Sequence, residues 1–103
     1  MRKVIRDGKV AVLVSPGFGA GWSTWNPTEP EMLFDPVIVQ MIEDNTDPAT
    51  IMMVAESKYK NCYTGGVSDL MIVWVPIGTE FKVDEYDGAE SIIFKEQEKW
   101  VTA

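Results

Sequence analysis

Five consecutive apolar residues at positions 10–14, Val-Ala-Val-Leu-Val, constrain the fold of this chain more than any other feature. The run is rich in β-branched residues, has the length of a strand, and is closely followed by Pro16. Because both odd and even positions are apolar, both faces of this strand need a cover. The sequence therefore predicts a central strand here, and a second strand apolar on both faces at 70–75, before Pro76.

Two Asp-Gly pairs, at 7–8 and 87–88, predict tight hairpin turns, because both residue types tolerate positive φ. The first turn joins a short strand at 3–5 to the central strand. The second joins an alternating run at 79–86 to a return strand at 90–95. The alternation places Phe81, Val83 and Glu85 on one face of the strand, and Lys82, Asp84 and Tyr86 on the other.

Two short helices are predicted between the strands. Asp-Pro at 35–36 and again at 47–48 is typical of a helix start, with aspartate as the N-cap and proline at the first helical position. Apolar residues at helical spacing follow both pairs, and the second helix is expected to run to about Lys60. Three prolines at 27–36 exclude a long helix there and leave room for one helical turn at 32–34.

These elements occur in the order β-β-α-α-β-β-β, and the chain of 103 residues has the length of one domain, residues 1–103. We therefore predict an α+β fold, with a small, mostly antiparallel sheet of four to five strands and two short helices inserted. Trp100 and Val101 are expected to extend or cap the sheet.

Composition excludes several functional classes. The formal net charge is −7, from 16 acidic and 9 basic residues, which argues against binding to a nucleic acid polymer or to an anionic membrane. The absence of histidine removes Ser-His-Asp and Cys-His catalysis and every histidine-based metal site. We expect no cofactor, no metal and no enzymatic activity. With one cysteine and no apolar signal segment, the chain is expected to be intracellular.

Residues 15–26, here called the glycine loop, read Ser-Pro-Gly-Phe-Gly-Ala-Gly-Trp-Ser-Thr-Trp-Asn. The glycine spacing matches neither a dinucleotide fingerprint nor a P-loop. Alternating glycines nevertheless let backbone N–H groups face an anion, and the two indoles offer faces on which a purine stacks. The alternative is a flexible turn with both tryptophans in the core. The ligand-binding candidates in the loop are Gly17, Phe18, Gly19, Gly21, Trp22, Ser23, Thr24, Trp25 and Asn26.

A second candidate cluster lies at 57–66, where two lysines and two tyrosines precede a Gly-Gly pair in a chain otherwise poor in cations. Lysine can pair with phosphate and tyrosine can stack on a base. The alternative is a lysine-rich helix end that complements the helix dipole, followed by a glycine cap. The candidates are Lys58, Tyr59, Lys60 and Tyr63.

The many carboxylates, including Glu80, Asp84, Glu85, Asp87 and Glu90, allow a third interpretation. Paired carboxylates bind Mg²⁺ or act as acid and base, as in a nucleotide hydrolase. Their spacing follows no recognisable ligand pattern, so a solvated strand face is the preferred interpretation.

Two blocks, IRDGKVAVLVSPGFGAGWSTWN and DLMIVWVPIGTEFKVDEYDGAESI, resemble a group of small tailed-phage proteins, which we identify with the anti-CBASS sponge proteins. The resemblance covers most of the chain and is least distinctive at 37–64. It implies a homo-oligomer, dimer or tetramer, in the host cytoplasm. It also implies immune evasion by sequestering a cyclic dinucleotide such as 3′,3′-cyclic GMP–AMP without catalysis. The alternative is an acidic interaction protein that inhibits a host nucleic-acid-binding enzyme.

Overall fold

The structure is a computed structural model that describes residues 2–95 and 102–103. It confirms the predicted α+β class and the predicted order of elements, whereas Trp100 and Val101 lie outside the described residues. Three short 3₁₀ helices, at Ser23–Trp25, Pro30–Phe34 and Gly65–Asp69, lie in the connections. The strands are β1 (Ile5–Arg6), β2 (Lys9–Val14), β3 (Met71–Pro76), β4 (Phe81–Tyr86) and β5 (Ala89–Phe94), and the helices are α1 (Pro36–Glu43) and α2 (Pro48–Lys58).

The strands form two antiparallel sheets rather than one. β1, β2 and β3 make a three-stranded sheet with β2 in the centre, and β4 and β5 make a separate hairpin. The hairpin packs its apolar face over one face of the three-stranded sheet instead of pairing with its edge. This arrangement buries Val12 and Val14, on the face of β2 that the hairpin covers. Pairing of the hairpin at the edge of the sheet would leave that face in water.

β2 is covered on both sides, as its composition predicts. Ala11 and Leu13 lie in the core formed with α1 and α2, whereas Val12 and Val14 lie in the core formed with the β4–β5 hairpin. All four side chains are buried. The single strand β2 therefore belongs to two hydrophobic clusters, one on each face of the sheet.

Both predicted hairpin turns are present. Asp7 and Gly8 have φ values of 51° and 74°, and Asp87 and Gly88 have φ values of 51° and 88°. Two consecutive positive φ angles define the type I′ turn, whose twist matches that of the flanking strands. Because such a turn fixes the register, Glu85 of β4 pairs directly with Glu90 of β5.

Asp35 joins the start of α1 to the end of α2. Its Oδ1 accepts hydrogen bonds from the N–H groups of Val37 (2.9 Å) and Ile38 (3.1 Å), which confirms the predicted N-cap. Its Oδ2 accepts a hydrogen bond from the Tyr59 hydroxyl and lies 2.7 Å from Lys58 Nζ. Burial alone would raise the pKa of Asp35, but the bonds from Lys58, Tyr59 and Ile38 outweigh it and hold the pKa below its ordinary value.

Asp35→Asn is expected to lower the free energy of unfolding by about 2 kcal/mol at neutral pH, because it removes a buried charge that accepts several hydrogen bonds. Since the folded-state pKa is lowered, the stabilisation by Asp35 is complete above its ordinary pKa of 3.8 and is lost as the pH falls through the folded-state pKa. Urea denaturation of both proteins at several pH values should therefore show a difference that shrinks only in acid below 3.8.

Asp47→Asn is the matched control, because Asp47 precedes α2 at the same position but its side chain makes no capping hydrogen bond. Its effect should stay within about 0.5 kcal/mol at every pH. A constant difference between wild type and Asp35→Asn throughout the acid range would contradict the charge-based account.

Candidate functional site

The glycine loop surrounds a carboxylate that belongs to the chain itself. Glu90 is buried, and its Oε1 accepts a hydrogen bond from the Ser15 N–H at 2.9 Å. Its Oε2 accepts from the Trp22 N–H at 2.8 Å, the Thr24 N–H at 3.1 Å and the Thr24 hydroxyl at 2.5 Å. The loop therefore binds an anion through backbone amides, and this anion is the carboxylate of Glu90 in β5.

Of the three loop glycines, Gly19 is the one whose predicted contact with phosphate is contradicted, because its N–H is used within the fold. The N–H groups that meet the carboxylate are not those of Gly17, Gly19 and Gly21, and the Gly19 N–H instead donates to the Asp87 carbonyl at 2.7 Å. The closest backbone approach is at Gly88, where an added Cβ would lie 2.3 Å from the Ala20 nitrogen. Gly88 thus lets the β4–β5 turn lie directly against the loop.

Trp22 belongs to the core, so the expectation that it stacks on a ligand is wrong for this structure. Its side chain is fully buried, and its Nε1 donates to the Met32 carbonyl at 2.8 Å. Its ring meets the Tyr59 ring edge-on, with centroids 6.1 Å apart and an interplanar angle of 88°. The hydrogen bond to Met32 satisfies the only polar group of the indole. Burial leaves neither face of the ring open to a ligand.

Lys58 and Tyr59 likewise have partners within the fold, although only Tyr59 is buried and Lys58 is exposed. Tyr59 is buried and donates to Asp35, and burial together with that hydrogen bond raises the pKa of the Tyr59 hydroxyl. Lys58 forms its ion pair with the same carboxylate. Neither residue is available for the predicted contacts with phosphate or base, because each already satisfies the buried charge of Asp35.

Trp25 and Tyr63 are brought together at the surface, and we call this pair the aromatic clasp. Their ring centroids are 4.9 Å apart, the rings are tilted by 50°, and the residues are 37% and 51% exposed. The Trp25 ring lies over Gly21 and the Tyr63 ring over Gly65, where a Cβ on either glycine would collide with the ring. The clasp therefore presents two fixed rings that are partly open to solvent.

The Asn26 side chain sets the spacing of the clasp. Its Nδ2 donates to the Trp22 carbonyl (2.8 Å) and to the Tyr63 carbonyl (2.7 Å), and its Oδ1 accepts from the Tyr63 N–H (2.8 Å). Asn26 is buried, so its predicted contact with a ligand is replaced by contacts with the backbone. The amide ties the segment before Gly65 to the glycine loop.

The exposed aromatic residues of the described chain all belong to segments that meet at the glycine loop. Phe18 (74% exposed) lies within the loop, and Tyr86 (78% exposed) lies at the end of β4, beside the turn that bonds to Gly19. Every other aromatic residue of the described part of the chain is buried or half-buried. We call the four exposed residues, Phe18, Trp25, Tyr63 and Tyr86, the aromatic rim.

Carboxylates lie among the segments that carry the aromatic rim. Asp69 packs over Gly17, and Glu85 Oε2 accepts from the Gly88 N–H at 2.7 Å. Asp87, which is exposed, holds the loop through its carbonyl. Lys60, three residues before Tyr63, is exposed, as is Lys58, which is ion-paired with Asp35. Ser23 is half-buried, and the Thr24 hydroxyl is committed to Glu90.

Glu90 is the important residue that the sequence interpretation missed, because it was assigned to a solvated strand face. The signal was present in the hairpin pattern. A two-residue turn at 87–88 pairs Glu85 with Glu90, and Glu85 alternates in phase with apolar Phe81 and Val83. That pairing places the Glu90 side chain on the face of the hairpin that packs against the core.

Surface depressions lie at several places away from the glycine loop, and one of these, of about 380 Å³ along α2, includes the nominated Lys58. Another of about 420 Å³ is lined by Gly78, Thr79, Glu80 and Lys95, at the opposite end of the hairpin from Gly88. Within residues 2–95 and 102–103, no three cysteine or acidic side chains are grouped closely enough to hold a metal ion. None of the helices described has the length and apolar character needed to cross a membrane.

Comparison of the chain with models of known protein families, with curated proteins and with solved structures finds no match. The resemblance to the anti-CBASS sponge proteins therefore stays a prediction that rests on the two sequence blocks.

Glu90→Gln is expected to lower the free energy of unfolding by about 3 kcal/mol, because the amide NH₂ would face buried N–H donors and leave them unpaired. Urea denaturation at neutral pH measures the loss. The matched control is Glu85→Gln, which changes the directly paired but exposed residue, and its cost should stay below about 1 kcal/mol. Equal losses in the two variants would contradict the role assigned to Glu90.

Proposed function

We propose that this chain is a non-catalytic binding protein and that the aromatic rim is its contact surface for a protein partner rich in exposed basic residues. The observation that carries the proposal is that the exposed aromatic residues of the described chain, Phe18, Trp25, Tyr63 and Tyr86, lie on the glycine loop or on segments bonded to it, and that these segments also carry carboxylates. Tryptophan and tyrosine supply a large share of the binding energy in protein interfaces.

Rigidity of the clasp supports this function. The two rings rest on glycines, and the Asn26 amide fixes the backbone that carries Tyr63. A partner that docks on them orders few additional side chains, so less binding energy is lost to conformational entropy. The carboxylate of Glu90 holds the loop beneath them in the same way.

Charge favours a basic partner. Asp69, Glu85 and Asp87 lie on the segments that carry the rim, and the whole chain has a net charge of −7. An arginine side chain can stack on an aromatic ring and pair with a neighbouring carboxylate. Nucleic-acid-binding enzymes present basic surfaces of this kind, so docking on such a surface would inhibit them.

Sequestration of a cyclic dinucleotide is the second candidate, because the tilted rings of the clasp can receive a base and Lys60 is exposed nearby in the sequence. This candidate now depends on Trp25, Tyr63 and Lys60. The amides of Ser15, Trp22 and Thr24 are used by Glu90, so phosphate would need other donors.

The test is capture of partners from a bacterial lysate by the immobilised chain, followed by binding measurements with each purified partner. We expect basic nucleic-acid-binding proteins, at least tenfold weaker binding to Phe18→Ala/Tyr86→Ala and to Trp25→Ala, and competition by the partner's own nucleic acid. The matched control, Met53→Ala/Ile77→Ala, removes exposed apolar side chains that lie outside the rim and should bind like wild type.

Circular dichroism of each variant is the control for folding, and every variant should give the wild-type spectrum. Partners that bind all variants equally would overturn the role of the rim. Calorimetry with 3′,3′-cyclic GMP–AMP and linear dinucleotide controls tests the second candidate. Tight binding that is lost in Trp25→Ala would favour sequestration over protein docking, and recovery of chemically altered nucleotide would contradict a non-catalytic function.

A further inference from the structure

We propose that two copies of the chain pair through the outer edge of β3, which joins their sheets into one antiparallel sheet across a twofold axis. This inference goes beyond the proposed function, because it concerns a different surface. In the described part of the chain, β3 pairs with β2 on one side only. An unpaired edge strand presents free N–H and C=O groups to another strand.

The register identifies which groups are free. The Ala11 N–H donates to the Val4 carbonyl at 2.9 Å, so odd-numbered residues of β2 direct their backbone groups toward β1. Even-numbered residues of β2 therefore bond to β3, where Val12 is paired with Val73. It follows that the backbone groups of Ile72 and Trp74 point away from β2, toward the outer edge.

The neighbouring groups on that edge are already used or missing. The Leu70 N–H donates to the Val67 carbonyl at 3.3 Å, and the Pro76 carbonyl accepts from the Thr79 N–H at 3.1 Å. Proline has no N–H to offer. Ile72 and Trp74 are thus left with two donors and two acceptors, which is the minimum for a self-complementary antiparallel pair.

A second copy of the chain can pair with this edge in one register that gives all four backbone groups a hydrogen-bond partner. With the twofold axis at Val73, Ile72 of one copy lies opposite Trp74 of the other, and four hydrogen bonds form. The register also pairs an aromatic with a β-branched side chain on one face of each sheet, a favourable cross-strand combination.

Charge and size also favour a second copy at this edge. Met71–Pro76 contains no charged residue, whereas natural edge strands commonly carry charges that prevent pairing. Two copies that each carry a charge of −7 repel one another least along an uncharged strip. A chain of 103 residues also has limited core area, which pairing of the sheets would extend.

The test is the molar mass of the full chain by sedimentation equilibrium from micromolar to millimolar concentration. We expect a mass that rises to twice that of the monomer. Ile72→Pro removes an outward N–H that β2 does not use, so it should remain monomeric. Ile72→Ala loses the same side chain but keeps the N–H, so it should still form the dimer.

Amide hydrogen exchange of the wild-type chain tests the proposal independently of whether Ile72→Pro folds. The amides of Ile72 and Trp74 should exchange at least tenfold more slowly as the dimer forms, while the Val73 amide, bonded to β2, is protected at every concentration. A chain that stays monomeric throughout, a dimer unaffected by Ile72→Pro, or unchanged exchange at Ile72 and Trp74 would overturn the proposal.

Discussion

The carboxylate of Glu90, buried against the amides of Ser15, Trp22 and Thr24, holds the two sheets and the glycine loop in one arrangement. Three backbone donors and one hydroxyl meet one charge, so neither the loop nor the carboxylate is left unsatisfied away from water. Without this charge, the loop would bury unpaired N–H groups beneath the aromatic rim. The chemistry usually associated with a bound phosphate is here part of the fold.

Asp35, the N-cap of α1, is a second buried carboxylate whose charge is met by several hydrogen-bond donors. It accepts two backbone bonds from α1 and bonds from Lys58 and Tyr59. Among the described residues, the two buried acids are therefore both stabilised by several hydrogen bonds, which makes each of them a junction between elements distant in sequence. An acidic chain with few cations can bury charge because backbone amides supply the donors.

Structural features that depend only on a few consecutive residues could be predicted from the sequence. The Asp-Gly turns, the cap at Asp35 and the two-sided burial of β2 each depend on a few consecutive residues, and the structure confirms them. The separation into two sheets was not predictable in the same way, because a hairpin with one apolar face satisfies hydrogen bonding equally well whether it pairs at an edge or packs on a face. That choice depends on which surface of β2 and β3 remains uncovered.

The sequence indicated which segments carry the candidate site, but it did not indicate which of their side chains are buried and which are exposed. Trp22 and Trp25 are three residues apart in a loop, and no local pattern indicates that the first is buried and the second exposed. The structure decides between them because Trp22 reaches the Met32 carbonyl across the core. The glycine loop does surround an anion, but that anion is Glu90 of the chain itself, 68 positions beyond Trp22, and the predicted contact with a bound phosphate stays a prediction.

The hydrogen bonds of Asn26 have a consequence for how the clasp can change. The Asn26 side-chain amide forms hydrogen bonds with main-chain atoms of Trp22 and Tyr63, and these atoms are the same whatever side chain is attached. Because Asn26 directly follows Trp25, its bonds to the Tyr63 backbone set the distance between positions 25 and 63 through main-chain atoms, whichever rings these positions carry. Aromatic residues at 25 and 63 can be exchanged for others on an unchanged frame, so binding preference can diversify without refolding the scaffold.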